Sequence, residues 1–216
     1  MSKHPLLVLI LLAGLAPARA QKTQRPATPW SLSILAGPTI PAGAFASTDL
    51  LNSEAGRART GAGAELALTY WPIRSIGIMV AVAGQINSMR PYTASRFGYP
   101  GIITAQNDPW KIARYLAGPT ASLGLSKRLS LEGRLLGGVL KTSYPSVVYT
   151  YNNSLTDRFH ATSIPWTFDW EAGAGCKWQL PGKGFLLADV SYQISKPWSH
   201  PIQCIQLGLG AGIGFR

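Results

Sequence analysis

Apolar and polar side chains alternate with a period of two along most of the chain. In residues 64–70, Leu66, Leu68 and Tyr70 share one face, while Glu65, Ala67 and Thr69 share the other. The next segment sets Ile76, Ile78, Val80 and Val82 against Gly77, Met79, Ala81 and Gln85. The pattern recurs near 113–126 (Tyr115, Ala117, Ala121, Leu123, Leu125), near 129–140 (Leu129, Leu131, Leu135, Val139) and near 165–179 (Trp166, Phe168, Trp170, Trp178). It returns near 185–195 through Leu186, Val190, Tyr192 and Ile194, and near 203–215 through Ile205, Leu207, Leu209, Ile213 and Phe215. A weaker first member starts at Trp30, with Leu32, Ile34 and Ala36. Successive side chains of a strand point to opposite sides, so alternation of this length predicts strands with two unlike faces. The count is eight.

The connections between these segments alternate in length. Segments two and three join around Pro72 and Ser75, four and five around Lys127 and Arg128, six and seven around Pro181 and Gly184. These are tight-turn lengths with turn-forming residues. The other four connections cover roughly 40–58, 88–112, 141–163 and 196–202, and most are long. Strict alternation puts every long loop at one end of an up-and-down sheet, with both termini at the other. Outer-membrane barrels have this arrangement, with short periplasmic turns and longer extracellular loops. Strands of ten or more residues also suit the ~9–11 needed to cross a bilayer at a tilt.

A soluble lipocalin-like barrel alternates too, with its apolar face inward, so other features decide between them. The apolar face carries almost no charge, as lipid contact demands. The opposite face is mostly Gly, Ala, Ser and Thr rather than a Lys/Glu mixture, which suits a narrow, crowded lumen. Aromatic residues gather at the predicted strand ends, with Trp30, Tyr70, Trp71, Trp178, Phe185 and Phe215 toward the short turns. Trp110, Tyr115, Trp166 and Trp198 lie toward the long loops. Two such girdles fit the headgroup levels of a bilayer.

Composition agrees. The chain has 216 residues, 46% hydrophobic and 13% charged, which excludes a disordered protein. Beyond residue 20 no apolar run reaches the ~18 residues a membrane helix needs. Residues 1–20 read as a secretory signal peptide: Lys3 and His4 at the start, an apolar stretch from Leu6 to Leu15, and Ala18, Arg19 and Ala20 as the cleavage site. Residues 21–29 then form a short periplasmic segment, and 30–216 the barrel domain. The predicted fold is all-β: an eight-stranded antiparallel up-and-down transmembrane β-barrel in a Gram-negative envelope. No segment for a peptidoglycan-binding domain is expected after Arg216.

The signal peptide, the eight-strand meander and the glycine- and aromatic-containing last strand resemble small outer-membrane barrels of the OmpA/OmpX-like porin superfamily. The ending Gly212, Ile213, Gly214, Phe215 and Arg216 is similar to the "outer membrane protein beta-barrel domain" proteins common in Bacteroidetes-type bacteria. The resemblance spans about 30–216 and rests on pattern more than on a signature motif. It implies an outer-membrane location and lends no catalytic residues.

Strand parity sends Glu65, Glu132, Arg134, Asp169, Glu171 and Asp189 into the lumen, with Arg114 and Lys177 as further partners. An eight-stranded barrel is wide enough only for its side chains to fill. Enclosed charges therefore need pairing, since an unpaired buried charge is strongly destabilising. The favoured reading is a salt-bridged plug, and the alternative is a proton or cation path. Asp169 and Glu171 also have the spacing of a carboxylate pair for hydrolysis or Ca²⁺, although both belong to the packed face. Alternate glycines from Gly208 to Gly214 make room in the lumen for bulky neighbours. Cys176 and Cys204 differ in height and parity and are expected to be free, buried thiols. No metal or other cofactor is expected.

The net charge is +11, falling to +9 once Lys3 and Arg19 are removed. Basic residues at both rims would attract lipid phosphates, and no basic helix or stacking motif points to nucleic acid. The expected partners are outer-membrane lipids (lipopolysaccharide and phospholipid), the barrel-assembly machinery, and a protein partner at the loop 141–163. Within that loop, residues 147–151 are expected to extend strands five and six and expose an edge for strand addition. The protein is expected to be a monomer with a structural, adhesive or partner-binding role. The alternative is a lipid-modifying enzyme (acyltransferase or lipase type) using His160 with Thr162 or Ser163 near Glu171.

Overall fold

The computed structural model describes residues 28–49, 52, 54–90, 102–151, 156–159, 163–197 and 201–216. The predicted signal peptide lies outside the described residues, as do His160, Thr162 and Trp198. The chain runs through β1 (Trp30–Pro41), a single helical turn α1 (Gly43–Ala46), β2 (Ala58–Ile73), β3 (Ile76–Met89), β4 (Ile102–Asn107) and β5 (Trp110–Gly124). It continues through β6 (Leu129–Ser143), β7 (Val147–Tyr151), β8 (Thr156–Phe159), β9 (Ser163–Gln179), β10 (Gly184–Ser195) and β11 (Ile202–Phe215). Eight of these strands close an antiparallel barrel in the order β1-β11-β10-β9-β6-β5-β3-β2. They match the eight alternating segments.

Closure runs through β1, whose Trp30 pairs with Tyr70 of β2 on one side and Phe215 of β11 on the other. The short turns lie at one end, at 74–75, 125–128 and 180–183. In the last of these, Gly182 adopts φ +89°, a conformation that favours glycine. All four longer connections lie at the opposite end.

Parity decides what each face meets. On β3, Ile76, Ile78, Val80 and Val82 are each at least half exposed, while Met79, Ala81 and Ala83 between them are buried. Leu209 on β11 is 73% exposed. In water each such side chain would forfeit about 1.5–3 kcal/mol relative to burial. A continuous belt of them is stable against hydrocarbon, so the soluble lipocalin-like alternative, with its apolar face inward, is overturned.

The interior combines small residues such as Ser31, Ser33, Ala67, Ala81 and Ser191 with larger apolar ones, Leu35, Met79, Leu116 and Leu136. Among the lumen glycines, a side chain at Gly212 would collide with the Phe185 ring, and one at Gly208 would meet Leu35 at 3.0 Å. The glycines and the large side chains therefore interdigitate.

One feature differs from the sequence reading, and it lies outside the barrel. β7 does not extend the barrel strands but is the centre of a separate three-stranded sheet, β4-β7-β8. Val148 pairs with Gln106 on one side and Arg158 on the other. Both edges of residues 147–150 are occupied, so the expected open edge there is absent. Among the described residues the outer strands of this sheet are β4 and β8, short strands whose sequences carry little alternation.

Candidate functional site

Five strands bring charged side chains together in the middle of the barrel. Arg114 on β5 donates from Nε to Asp169 Oδ2 at 2.7 Å and from a terminal nitrogen to Glu171 Oε2 at 2.7 Å. Asp169 and Glu171 are two apart on β9, so both point inward and fit one guanidinium fork. Arg134 on β6 takes the other oxygen of Glu171, with Nε donating to Oε1 at 2.8 Å. It also reaches Asp189 on β10 at 3.0 Å and Glu65 on β2 at 3.5 Å. Glu132 stands apart from this group and pairs with Lys177 at 3.1 Å.

This arrangement links β2, β5, β6, β9 and β10 through ion pairs inside the barrel. Both oxygens of Glu171 are held by guanidinium groups, while Asp169 gives Oδ2 to Arg114 and its Oδ1 is buried without a hydrogen bond. Among the described residues, no group of three or more His, Cys, Asp or Glu side chains is disposed to hold a metal ion. Glu65 is 2% exposed, and neither of its oxygens has a hydrogen bond. Its nearest ionic contact is the 3.5 Å approach of Arg134.

Both mouths of the barrel are filled. At the short-turn end Trp71 is buried and its Nε1 donates to Ser31 Oγ at 3.3 Å. The Lys177 ammonium lies 4.1 Å from the Phe185 ring centre and 5.6 Å from that of Trp71. At the long-loop end, α1 and residues 54–57 lie against the barrel mouth. Phe45 of α1 is fully buried and meets Trp110 edge-to-face at 5.4 Å, while Trp110 Nε1 donates to the Gly56 carbonyl at 3.0 Å. Ile112, Leu140 and Ile202 complete this apolar stopper. Just beneath it, Asn87 donates to Thr39 Oγ1 at 2.9 Å, and Gln85 donates to Asn87 Oδ1 at 3.3 Å.

Three of the expected girdle aromatics are therefore corrected. Trp71, Trp110 and Phe185 face the interior because each has inward parity, and a barrel mouth needs bulk to exclude water. Trp30, Tyr70, Tyr115, Trp166 and Trp178 face outward, and Phe215 is partly exposed. Trp30 stacks on Tyr70 at 4.6 Å toward the short turns, and Tyr115 on Trp166 at 5.6 Å toward the long loops. The sequence reading missed Phe45, which sits in an irregular loop without periodic signal.

The thiols also divide. Both are free, but Cys176 is exposed on the outer face and Cys204 is buried, its sulfur accepting from Gln85 Nε2 at 3.4 Å. The expectation of two buried thiols fails for Cys176 because its outward parity places it in the belt. Of the loose enzymatic constellation, Glu171 lies inside the barrel and bound by two arginines.

No protein-family model matches the chain, and no curated protein matches it in sequence. Solved structures do resemble it. Neisserial surface protein A is 11% identical over 88% of this chain and 100% of its own, with a TM-score of 0.54. Ail, the attachment invasion locus protein of Yersinia pestis, is 17% identical over 86% of this chain and 97% of its own, with a TM-score of 0.49. A major outer membrane protein from Thermus thermophilus gives 12%, 86% and 99%, with a TM-score of 0.48. The chain has the fold of small eight-stranded outer-membrane barrels.

Proposed function

We propose that the protein is an integral outer-membrane barrel whose interior is closed and whose role is structural or adhesive, exerted through the elements beyond its long-loop rim. What supports this reading is an outward apolar belt together with a lumen crossed by the Arg114 and Arg134 ion pairs and obstructed by Phe45 and Trp110 near one mouth and by Trp71 and Phe185 near the other. A filled eight-stranded barrel offers no diffusion path. What remains for interaction is the surface: the belt for lipid, and the β4-β7-β8 sheet for a partner on the extracellular side.

Its partners on this reading are the lipids of the outer membrane, the barrel-assembly machinery that inserts it, and a protein recognised by the outer sheet. The two outer strands of that sheet, β4 and β8, suit strand addition, in which main-chain hydrogen bonds supply the affinity. A lipid-modifying activity is set aside because Glu171, its acid partner, is engaged by Arg114 and Arg134.

The test is fractionation of expressing cells followed by gel electrophoresis with and without boiling. The expected result is a band in the outer-membrane fraction whose mobility shifts on heating. A soluble band that does not shift overturns the reading.

A further inference from the structure

The outer belt is thinned at the register row Ala121, Gly133 and Ala174 toward the short turns, and again near the long-loop rim, where the gap is bordered by lysines. On the register row Ala64, Gly84 and Ala113, which ends at Lys141, direct cross-strand neighbours present almost no side-chain bulk to the bilayer. The row beneath it, Leu66, Val82, Tyr115 and Val139, is uniformly large. Ala62, opposite Ile86, extends the gap upward. A Cβ added at Gly84 would meet no atom within 4 Å, so the space outside it is open rather than occupied by neighbours. The result is a shallow groove on β2, β3, β5 and β6 just below the long-loop rim.

Two lysines border this groove. Lys111 and Lys141 both line it, and no carboxylate does. Lys141 is held over the Trp166 ring, 5.6 Å from its centre, and Trp166 in turn packs on Tyr115. A lysine anchored by an aromatic face is more ordered than a free surface lysine. Small side chains admit a hydrocarbon chain, and the two cations above them complement a phosphate at headgroup depth.

We infer that this groove binds an anionic, phosphate-bearing acyl lipid of the surrounding bilayer, with one acyl chain against Ala62, Ala64, Gly84 and Ala113 and the phosphate between Lys111 and Lys141. The inference rests on the membrane reading above and adds a specific lipid site to it.

The experiment is native mass spectrometry of the detergent-extracted protein, titrated with phosphatidylglycerol or with phosphatidylcholine of the same acyl chains. Each variant is first shown to give the heat-shifted band. The wild type is expected to retain phosphatidylglycerol in preference. The double variant K111Q/K141Q should lose that preference by on the order of tenfold, given the attraction each lysine contributes near an anionic lipid. G84L, which fills the groove without meeting another atom at its Cβ, should lower retention of both lipids. K183Q, which removes an exposed charge at the opposite rim, should reduce the preference far less than K111Q/K141Q. Equal retention of the two lipids, a preference that survives K111Q/K141Q, an equal loss in K183Q, or unchanged retention in G84L overturns the site. A protein that lacks the heat-shifted band and fractionates as soluble fails the membrane reading instead.

Discussion

Arg114 and Asp169 meet at 2.7 Å in the middle of the barrel, with their side chains 1% and 0% exposed. Removing one partner of such a pair strands the other, while removing both leaves an apolar filling. R114M is expected to cost about 3–5 kcal/mol. In R114L/D169L most of that loss should return, because Glu171 keeps Arg134. Urea titrations of the barrel in lipid vesicles measure both. If R114M unfolds at the wild-type midpoint, the pair does not brace the barrel.

The Phe45–Trp110 contact closes the long-loop mouth, and its loss should act locally. F45A removes a fully buried ring, a change worth about 3–5 kcal/mol in a packed site. Residues 42–57 should then be cleaved faster by added protease while the heat-shifted band persists. F45L should restore most of the resistance. Cleavage at the wild-type rate would mean that the loop is held by its backbone bonds, such as that from Gly56 N to Ala44 O.

Depth in the belt sets the cost of a charge. V80R, in the middle of β3, is expected to destabilise by about 2–4 kcal/mol, whereas S88R near the rim should cost about 0–1. Refolding equilibria in vesicles give both values. Equal costs would indicate that the belt does not face hydrocarbon.

The outer sheet offers a separate test. V148P removes a backbone donor from the central strand β7, which pairs on both sides. Protease treatment of intact cells should then cut within 141–163 faster, with the barrel unaffected. No change would mean that the strand pairing of β7 does not protect this region.

Period-two alternation was enough to assign the faces, because lipid and a narrow lumen impose opposite chemistry on adjacent residues. It also carried Glu65, Arg134, Asp169, Glu171 and Asp189 to the interior. The same parity already separated Trp71 from Tyr70. Reading both as girdle residues let position along the strand override parity, and parity won because the mouths need filling. Phe45 gave no signal at all: a four-residue turn in an irregular loop has no period, and its burial depends on Trp110, far along the chain. β4 and β8 were missed for a related reason, since strands of six and four residues pair through the backbone with little patterning. The lipid groove was equally hidden, because Gly84, Ala64 and Ala113 become neighbours only through register.

The seam between β1 and β11 has a kinetic consequence. From Trp30↔Phe215 to Pro41↔Cys204 it joins segments separated by nearly the whole barrel sequence. Loop-closure entropy makes such distant pairing slow relative to hairpin formation. Until it forms, β1 and β11 present two raw edges, each a template for pairing with another chain. The interval before the seam shuts is thus the period of greatest aggregation hazard, and its length depends on how fast the last strand finds the first.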